Sequence, residues 1–536
     1  MSEKKVNKFK FPKLNKLNYD AWLVPLSVCF FVGLIVHFSL YSNGLMTPDG
    51  LWRGEYGFGA HWQIQLGRWG LYIVELTRGG IHSQVLCAVL AILYSSIAGI
   101  IIAKIFYVTN KYVMALIAIS ITCSPMVAMF ITYPFSADAY ALSLLLAALA
   151  VYCVTTMKPK IIGIVASISC ITFCIGLYQS SIGMVLAIAI GYIIISLLRE
   201  PEKLSVILKN SLWVLLALFI STVLYYVITV ITQFAWNVPM ADYKGASNFG
   251  IYNIISHLPN SLYHALRDFT RFFTGTTIAR NAFNERTFYL LILAITVTKL
   301  VFNFMEIKKK PATIITIIVL LVMLPFASNI ICILTPDAGM YLLMVSGMMV
   351  MVPLMLGIIN VKGNLGLDSK LGNMQKNLKL GVKVIVTLLI WSYVLSNQTD
   401  AIVMNIGKNQ TLSYAEWMWS EIREHDDYIH GKTMILIAGV PWEYEAPNES
   451  TASAKANSYA LWGLVWGDYN GSVYTWSEVY RQYLGITYVI CPTELFKEIV
   501  ETDEFARMPY FPEEGSIQMI RNVLVVKFSD TTYWEK

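Results

Sequence analysis

Apolar runs of membrane-spanning length recur along most of this chain, and they leave it few ways to fold. A helix needs about 20 mostly apolar residues to cross a bilayer core. Eleven stretches meet that rule: 22–42, 84–107, 112–131, 139–157, 161–177, 180–198, 211–233, 287–306, 312–334, 339–360 and 380–396. No water reaches the core to bond the backbone, so each run must satisfy its own N–H and C=O groups as a helix. The predicted fold class is therefore a polytopic α-helical membrane protein. Composition agrees: 56% of residues are hydrophobic and 14% charged, where soluble domains carry about a quarter charged. The net charge of +6 is too modest for a nucleic-acid binder, and no nucleotide-binding glycine loop is present.

Lys and Arg in the connecting loops set the expected orientation. One set of loops is rich in lysine: the tail 1–21 with Lys4, Lys5, Lys8, Lys10, Lys13 and Lys16, then Lys104/Lys111, Lys158/Lys160, Arg199/Lys203/Lys209, Lys308 to Lys310, and Lys362 to Lys383. The alternate loops hold fewer cations, and nearly all are arginine: Arg53, Arg68, Arg78, Lys244, Arg267, Arg271, Arg280 and Arg286. This places 1–21 in the cytoplasm and the two long loops, 43–83 and 234–286, outside. Both loops carry near-helical apolar spacing, over Trp62 to Arg78 and Ile251 to Phe273, as expected of helices lying at the interface. Lys299, within the eighth run, can snorkel inward. After 22–397 the composition turns polar, and 398–536 reads as an exported α/β domain. An amphipathic helix is predicted over Thr411 to Tyr428 and strands at Thr433 to Val440, Tyr488 to Cys491 and Val523 to Phe528. Seven of the eight cysteines lie in or beside apolar runs, with no zinc or disulfide spacing.

Charges beside a span are costly unless they face water or a partner. Asn43 to Gly70 concentrates Asp49, Arg53, Glu55, His61 and Arg68 among aromatics. Three outside connections place an aspartate at a span end: Asp49 in TPDG, Asp138 in SADAY and Asp337 in TPDAGMY; a fourth offers Tyr178 and Gln179. Asp138 and Asp337 also suit helix capping, and Asp49 suits a plain turn. Arginine forks grip phosphate as lysine does not. Outside the cell there is no nucleotide-sugar, so chemistry there needs an energised substrate carried by the lipid, such as a sugar on a polyprenyl phosphate. A carboxylate would take the acceptor's proton and arginines would stabilise the departing phosphate.

This layout resembles the C-type (GT-C) glycosyltransferase superfamily, and within it the bacterial Gtr type II glucosyltransferase family. The resemblance covers roughly 20–400 and rests on TPDG with the following GRWG, on YPFSADAY and on LYQSS. It implies a bacterial plasma-membrane enzyme that moves one hexose, with inversion, from polyprenyl phosphate to a cell-envelope polysaccharide or a teichoic-acid-type acceptor. It makes Asp49 the catalytic base and Asp138 a second acidic site residue. It also implies a functional link to a donor synthase and flippase. From location alone, Arg53, Arg68, Arg271 and Arg280 are candidates for the donor phosphate, and Glu55, Tyr178, Gln179 and Asp337 for substrate contacts. No cofactor is certain; Asp49 and Asp138 could share Mg or Mn if their loops meet. The domain from Gln398 could gather the acceptor. Two other readings stay open: a polymerase or ligase of lipid-diphosphate oligosaccharides, and a glycolipid transporter. The latter is disfavoured by the lack of internal repeats.

Overall fold

A computed structural model gives the fold and describes residues 20–241, 251–275, 282–335, 340–361, 369–441, 455–456, 463–465 and 471–531. In chain order, α1 (Asp20–Ser42) is followed by three short helices of the first loop, α2 (Pro48–Arg53), α3 (Ala60–Gln65) and α4 (Trp69–Thr77). Next come α5 (Gln84–Ile105), α6 (Lys111–Thr122), α7 (Pro125–Ile131), α8 (Ala137–Thr156), α9 (Lys160–Leu177), α10 (Ile182–Arg199) and α11 (Leu204–Trp236). The second long loop contributes α12 (Ile251–Thr274), and the bundle closes with α13 (Glu285–Glu306), α14 (Pro311–Ser328), α15 (Ile330–Leu334), α16 (Met351–Asn360) and α17 (Ser369–Glu424).

Among the described residues nine helices are long and apolar enough to cross a membrane, and the bent pair α6–α7 makes a tenth if it is one span. The chain is thus a polytopic helical membrane protein, with differences from the eleven predicted runs that have local causes. The third run bends by 49° between α6 and α7. Pro125 opens α7, and Ser124 before it is extended, at ψ 151°, as a residue preceding proline prefers. The tenth run, 339–360, is not one long helix. It makes 3-10 turns at Leu342–Met344 and Met348–Val350 before the ten-residue α16, which covers only about 15 Å. Its side chains from Leu342 to Leu354 are nearly all buried, so its apolarity reflects enclosure by protein, where irregular backbone is tolerated at membrane depth. The last run continues without a break through Gln398 to Glu424. At 1.5 Å per residue, its 56 residues extend about 84 Å, far beyond a hydrocarbon core of about 30 Å.

Small residues let the spans approach closely, as membrane helices require. A Cβ on Gly99 of α5 would stand 2.5 Å from the Ala118 Cα of α6. The alanine-rich α8 buries Ala137, Ala139, Ala141, Ala147, Ala148 and Ala150 completely. Large apolar side chains such as Phe31, Ile35, Phe219 and Phe234 point outward, where lipid replaces water. The lysine-rich loops gather at one end of the bundle. Lys104 lies over Trp22, Arg199 over Tyr107 and Lys383 over Tyr112, while Lys310 pairs with Glu202. The first loop lies at the other end.

The C-terminal part is built on a four-stranded sheet in the order β2-β1-β4-β3, with β1 (Met434–Ala438) parallel to β2 (Val489–Ile490) and β4 (Val523–Lys527), and β3 (Ile517–Ile520) antiparallel to β4. Three strands match the sequence prediction. β3 was not predicted; it joins β4 through Arg521-Asn522, both with positive φ, the geometry of a two-residue hairpin turn. Alternate side chains of the two central strands go to opposite faces. Leu436, Ala438, Val523 and Val525 pack on Phe496 and Ile499 of a helix at Thr493–Val500. Ile435, Ile437, Leu524 and Val526 pack on Met418, Trp419 and Ile422 of α17 and on Trp476 and Tyr480. Leu51 of α2 belongs to this second cluster and is fully buried. The first loop and the sheet domain are therefore on the same side of the bundle, and they share a core.

Candidate functional site

Asp49 is held by a short, well-specified helix. Thr47 caps α2, its Oγ1 accepting from Gly50 N at 3.4 Å and donating to Thr132 O at 3.3 Å. Pro48 fills the first helical position, where a missing N–H costs nothing, and Asp49 sits in the first turn, where the helix dipole favours a negative charge. A Cβ on Gly50 would come within 3.0 Å of Pro134 Cδ and 3.2 Å of Thr132 O, so α2 rests directly on the 132–136 loop. From the far side Gln482 donates from Nε2 to Leu51 O at 2.8 Å. Asp49 is half-buried and faces Tyr133. Burial, with the Asp49 carboxylate nearby, pushes the Tyr133 phenol well above its usual pKa.

Behind α2 lies an ionic frame that the sequence reading did not single out. Its hub is Glu75 on α4, with no exposed side-chain surface. Oε2 accepts Gly59 N at 2.9 Å, and Oε1 accepts Gln63 Nε2 at 2.6 Å and Arg53 Nη2 at 3.0 Å. A Cβ on Gly59 would sit 2.2 Å from Arg53 Nη2, so any larger residue there would displace the guanidinium. His82 completes this side: Nδ1 is 2.9 Å from Gly54 O and Nε2 is 3.8 Å from Glu75 Oε1. Burial lowers the His82 pKa, Arg53 and Arg78 lower it further, and the Gly54 carbonyl and Glu75 oppose them. Next to it, Arg78 bonds Phe135 O at 2.8 Å and Cys87 Sγ at 2.6 Å, and its Nε is 3.4 Å from Asp138 Oδ2. Asp138 is buried and also accepts Ala139 N at 2.9 Å.

Arg68 stands across the site. Gly67, at φ +70°, breaks the predicted 62–78 helix into α3 and α4 and turns Arg68 toward Gln179. Arg68 Nε donates to Gln179 Oε1 at 3.2 Å, and its guanidinium lies 5.2 Å over the Tyr178 ring. Gln179 is fixed in turn by Leu66 O at 2.7 Å and Tyr225 OH at 3.1 Å. Tyrosines run between the two halves. The ring of Tyr178 is 4.6 Å from that of Tyr140, and its hydroxyl, whose pKa burial raises, bonds Tyr341. Tyr341 and Tyr140 also border Tyr133, and so Asp49.

The structure therefore brings together Asp49, Arg68, Tyr178 and Gln179, with Arg53 and Asp138 engaged in the supporting frame. Arg53 also stacks 5.4 Å over Phe135. Glu55 is exposed and its charge bears on Arg481 and Tyr483 of the sheet domain. Arg271 is half-buried on α12, which packs on α13, α14 and α15. Arg280 and Asp337 lie outside the described residues. Among the described residues no three His, Cys, Asp or Glu gather as a metal-binding group. Glu75, Arg78, His82, Tyr133, Tyr140 and Tyr341 are the members that sequence reasoning did not assign to the site. Tyr133 and Tyr140 lie inside the YPFSADAY motif, which is the signal that points to them; Glu75, the one acid of α4, has no such local pattern.

No curated protein and no solved structure matches the chain. The family model described as glucosyl transferase GtrII matches residues 53–352. That range holds Arg53, Arg68, Glu75, Arg78, Asp138, Tyr178 and Gln179; Asp49 lies four residues before it, and the sheet domain lies after it. With more than half of its length matched, and with the helical bundle that carries this site, the chain belongs to the glucosyl transferase GtrII family.

Proposed function

We propose that this glucosyltransferase takes glucose from a polyprenyl-phosphate carrier and transfers it, with inversion, to a cell-envelope glycan on the outer face of the bacterial plasma membrane. The observation that carries this reading is that Asp49 and Arg68 border one cluster of tyrosines, Asp49 beside Tyr133 and Arg68 over Tyr178, at the bundle end opposite the lysine-rich loops. The positive-inside rule assigns those loops to the cytoplasm, so the site opens on the side without nucleotide-sugars.

In the proposed step an acceptor hydroxyl attacks C1 of the glucosyl phosphate and its proton passes to the Asp49 carboxylate. The bond from C1 to the phosphate oxygen breaks, and the phosphate leaves with the electron pair. Arg68, oriented by Gln179 and Tyr178, meets the charge that develops there, the kind of preorganised contact that lowers a barrier most. Arg53 and Asp138 act through the frame: Arg53 with Glu75 and Asp138 with Arg78 hold α2 and the 132–136 loop in register. The donor set for Mg or Mn is poor, because Asp138 is already committed to Arg78 and Ala139.

The test uses purified protein in liposomes with envelope glycan as acceptor. Polyprenyl-phosphate glucose should support transfer, while UDP-glucose and lipid-diphosphate oligosaccharides should not. Transfer from either of the latter at a comparable rate would refute the donor assignment.

A further inference from the structure

We infer that Trp52 and Tyr474 form a stacking platform for a sugar ring of the acceptor, so that the acceptor subsite is shared between the first loop and the sheet domain. This rests on the reading of Asp49 as base and deepens it. α2 turns Leu51 into the core of the sheet domain, where it is fully buried. The next residue, Trp52, faces out: it is 41% exposed, and Tyr474 beside it is 38% exposed, with ring centroids 6.2 Å apart. Two large aromatics contributed from opposite ends of the chain meet here without burying each other.

Trp52 is three residues after Asp49 on the same helix, and side chains at that spacing are neighbours on one face. A ring stacked on Trp52 is therefore held beside the carboxylate that would take its proton. Aromatic faces are negative and attract the positive edge of C–H groups, which a pyranose presents on its flat side. Hydroxyl partners stand at the rim: exposed Glu55 follows on the loop, and the charge of Glu55 bears on Arg481. Arg481 is anchored to Glu478 Oε2 from Nε at 3.0 Å and Nη2 at 2.6 Å. A Cβ on Gly54 would lie 3.1 Å from Arg481 Nη2, so this rim closes directly over the end of α2.

A membrane-interface anchor is the other common use of an exposed tryptophan. Trp52 instead contacts the sheet domain, with the charged Arg481–Glu478 pair next to it, which is an aqueous setting. The occupant we commit to is a neutral hexopyranose unit of the acceptor chain.

The experiment compares wild type with Trp52→Ala, Tyr474→Ala, Trp52→Phe and Tyr474→Phe. The probe is envelope polysaccharide extracted from cells lacking this protein. Retention on the immobilised extract is measured alongside transfer kinetics. Both alanine variants should raise the acceptor KM at least tenfold and lose retention. The donor KM should stay within twofold, and both phenylalanine variants should retain binding. Alanine variants that keep wild-type retention and acceptor KM would overturn it, even if Asp49 proves essential. Retention that depends on Trp52 and Tyr474 in a protein that transfers nothing from polyprenyl-phosphate glucose would keep the platform and reject the donor reading. A wild type that is not retained overturns the platform.

Discussion

Replacing Glu75 by alanine should release the first loop, and the size of the effect follows from what Glu75 holds. Its two oxygens accept Gly59 N, Gln63 Nε2 and Arg53 Nη2, and none of its side chain is exposed. Removing one partner of a buried ion pair costs about 3–5 kcal/mol. Arg53 keeps 17% of its side-chain surface exposed and can recover some hydration, which argues for the lower end, about 3 kcal/mol. At 1.4 kcal/mol per factor of ten, that is roughly a 150-fold rise in local opening. Hydrogen exchange of the 57–63 backbone in detergent-solubilised protein would read it, because the Gly59 amide points at Glu75 and the Gln63 amide bonds Gly59 O at 2.9 Å. Glu75→Gln should lose less, since an amide oxygen still accepts from Gly59. Exchange in 57–63 that is unchanged in Glu75→Ala would mean that the loop is held elsewhere and that the frame does not support α2.

Arg68→Lys keeps the charge but loses the Nε bond to Gln179 and the stacking on Tyr178; the donor KM should rise about tenfold or more, and Gln179→Ala should do the same more weakly. His82 has a folded pKa below its ordinary 6.5, so its contribution is intact above that pH and is lost as pH falls toward the depressed value. Thermal stability should therefore drop through that acid window, and His82→Gln should flatten the dependence. A Cβ on Gly70 would stand 2.8 Å from the Gly176 carbonyl carbon, so Gly70→Ala should push α4 from α9 and cost about 1–3 kcal/mol, read as a lower unfolding midpoint together with reduced transfer.

Much of the bundle was legible because lipid demands long apolar helices, and the α1, α5, α8 and α9 runs lie within a few residues of their predicted places. Where protein rather than lipid surrounds an apolar run, length alone misleads. The 339–360 stretch is as hydrophobic as a span, yet its half-helix is enclosed by its neighbours. The change of composition at Gln398 marks where α17 leaves the bilayer, but nothing there breaks a helix, so the helix continues. Gly67 divided a helix whose apolar spacing read as continuous. In the site, Asp49 and Arg68 were visible as charges among aromatics. Glu75 was not, because an acid on an amphipathic helix usually faces water, and only the fold brings Gly59, Gln63 and Arg53 around it. Likewise, no local pattern links Leu51 to a sheet that begins at Met434.

The central claim is that Asp49 takes the acceptor's proton. The most direct measurement is the transfer rate from polyprenyl-phosphate glucose by Asp49→Asn, in protein whose unfolding midpoint matches the wild type. Loss of a general base predicts a fall of about 10²- to 10⁴-fold, with donor binding retained and partial recovery in Asp49→Glu. A folded Asp49→Asn enzyme that works within a few-fold of the wild type would contradict it.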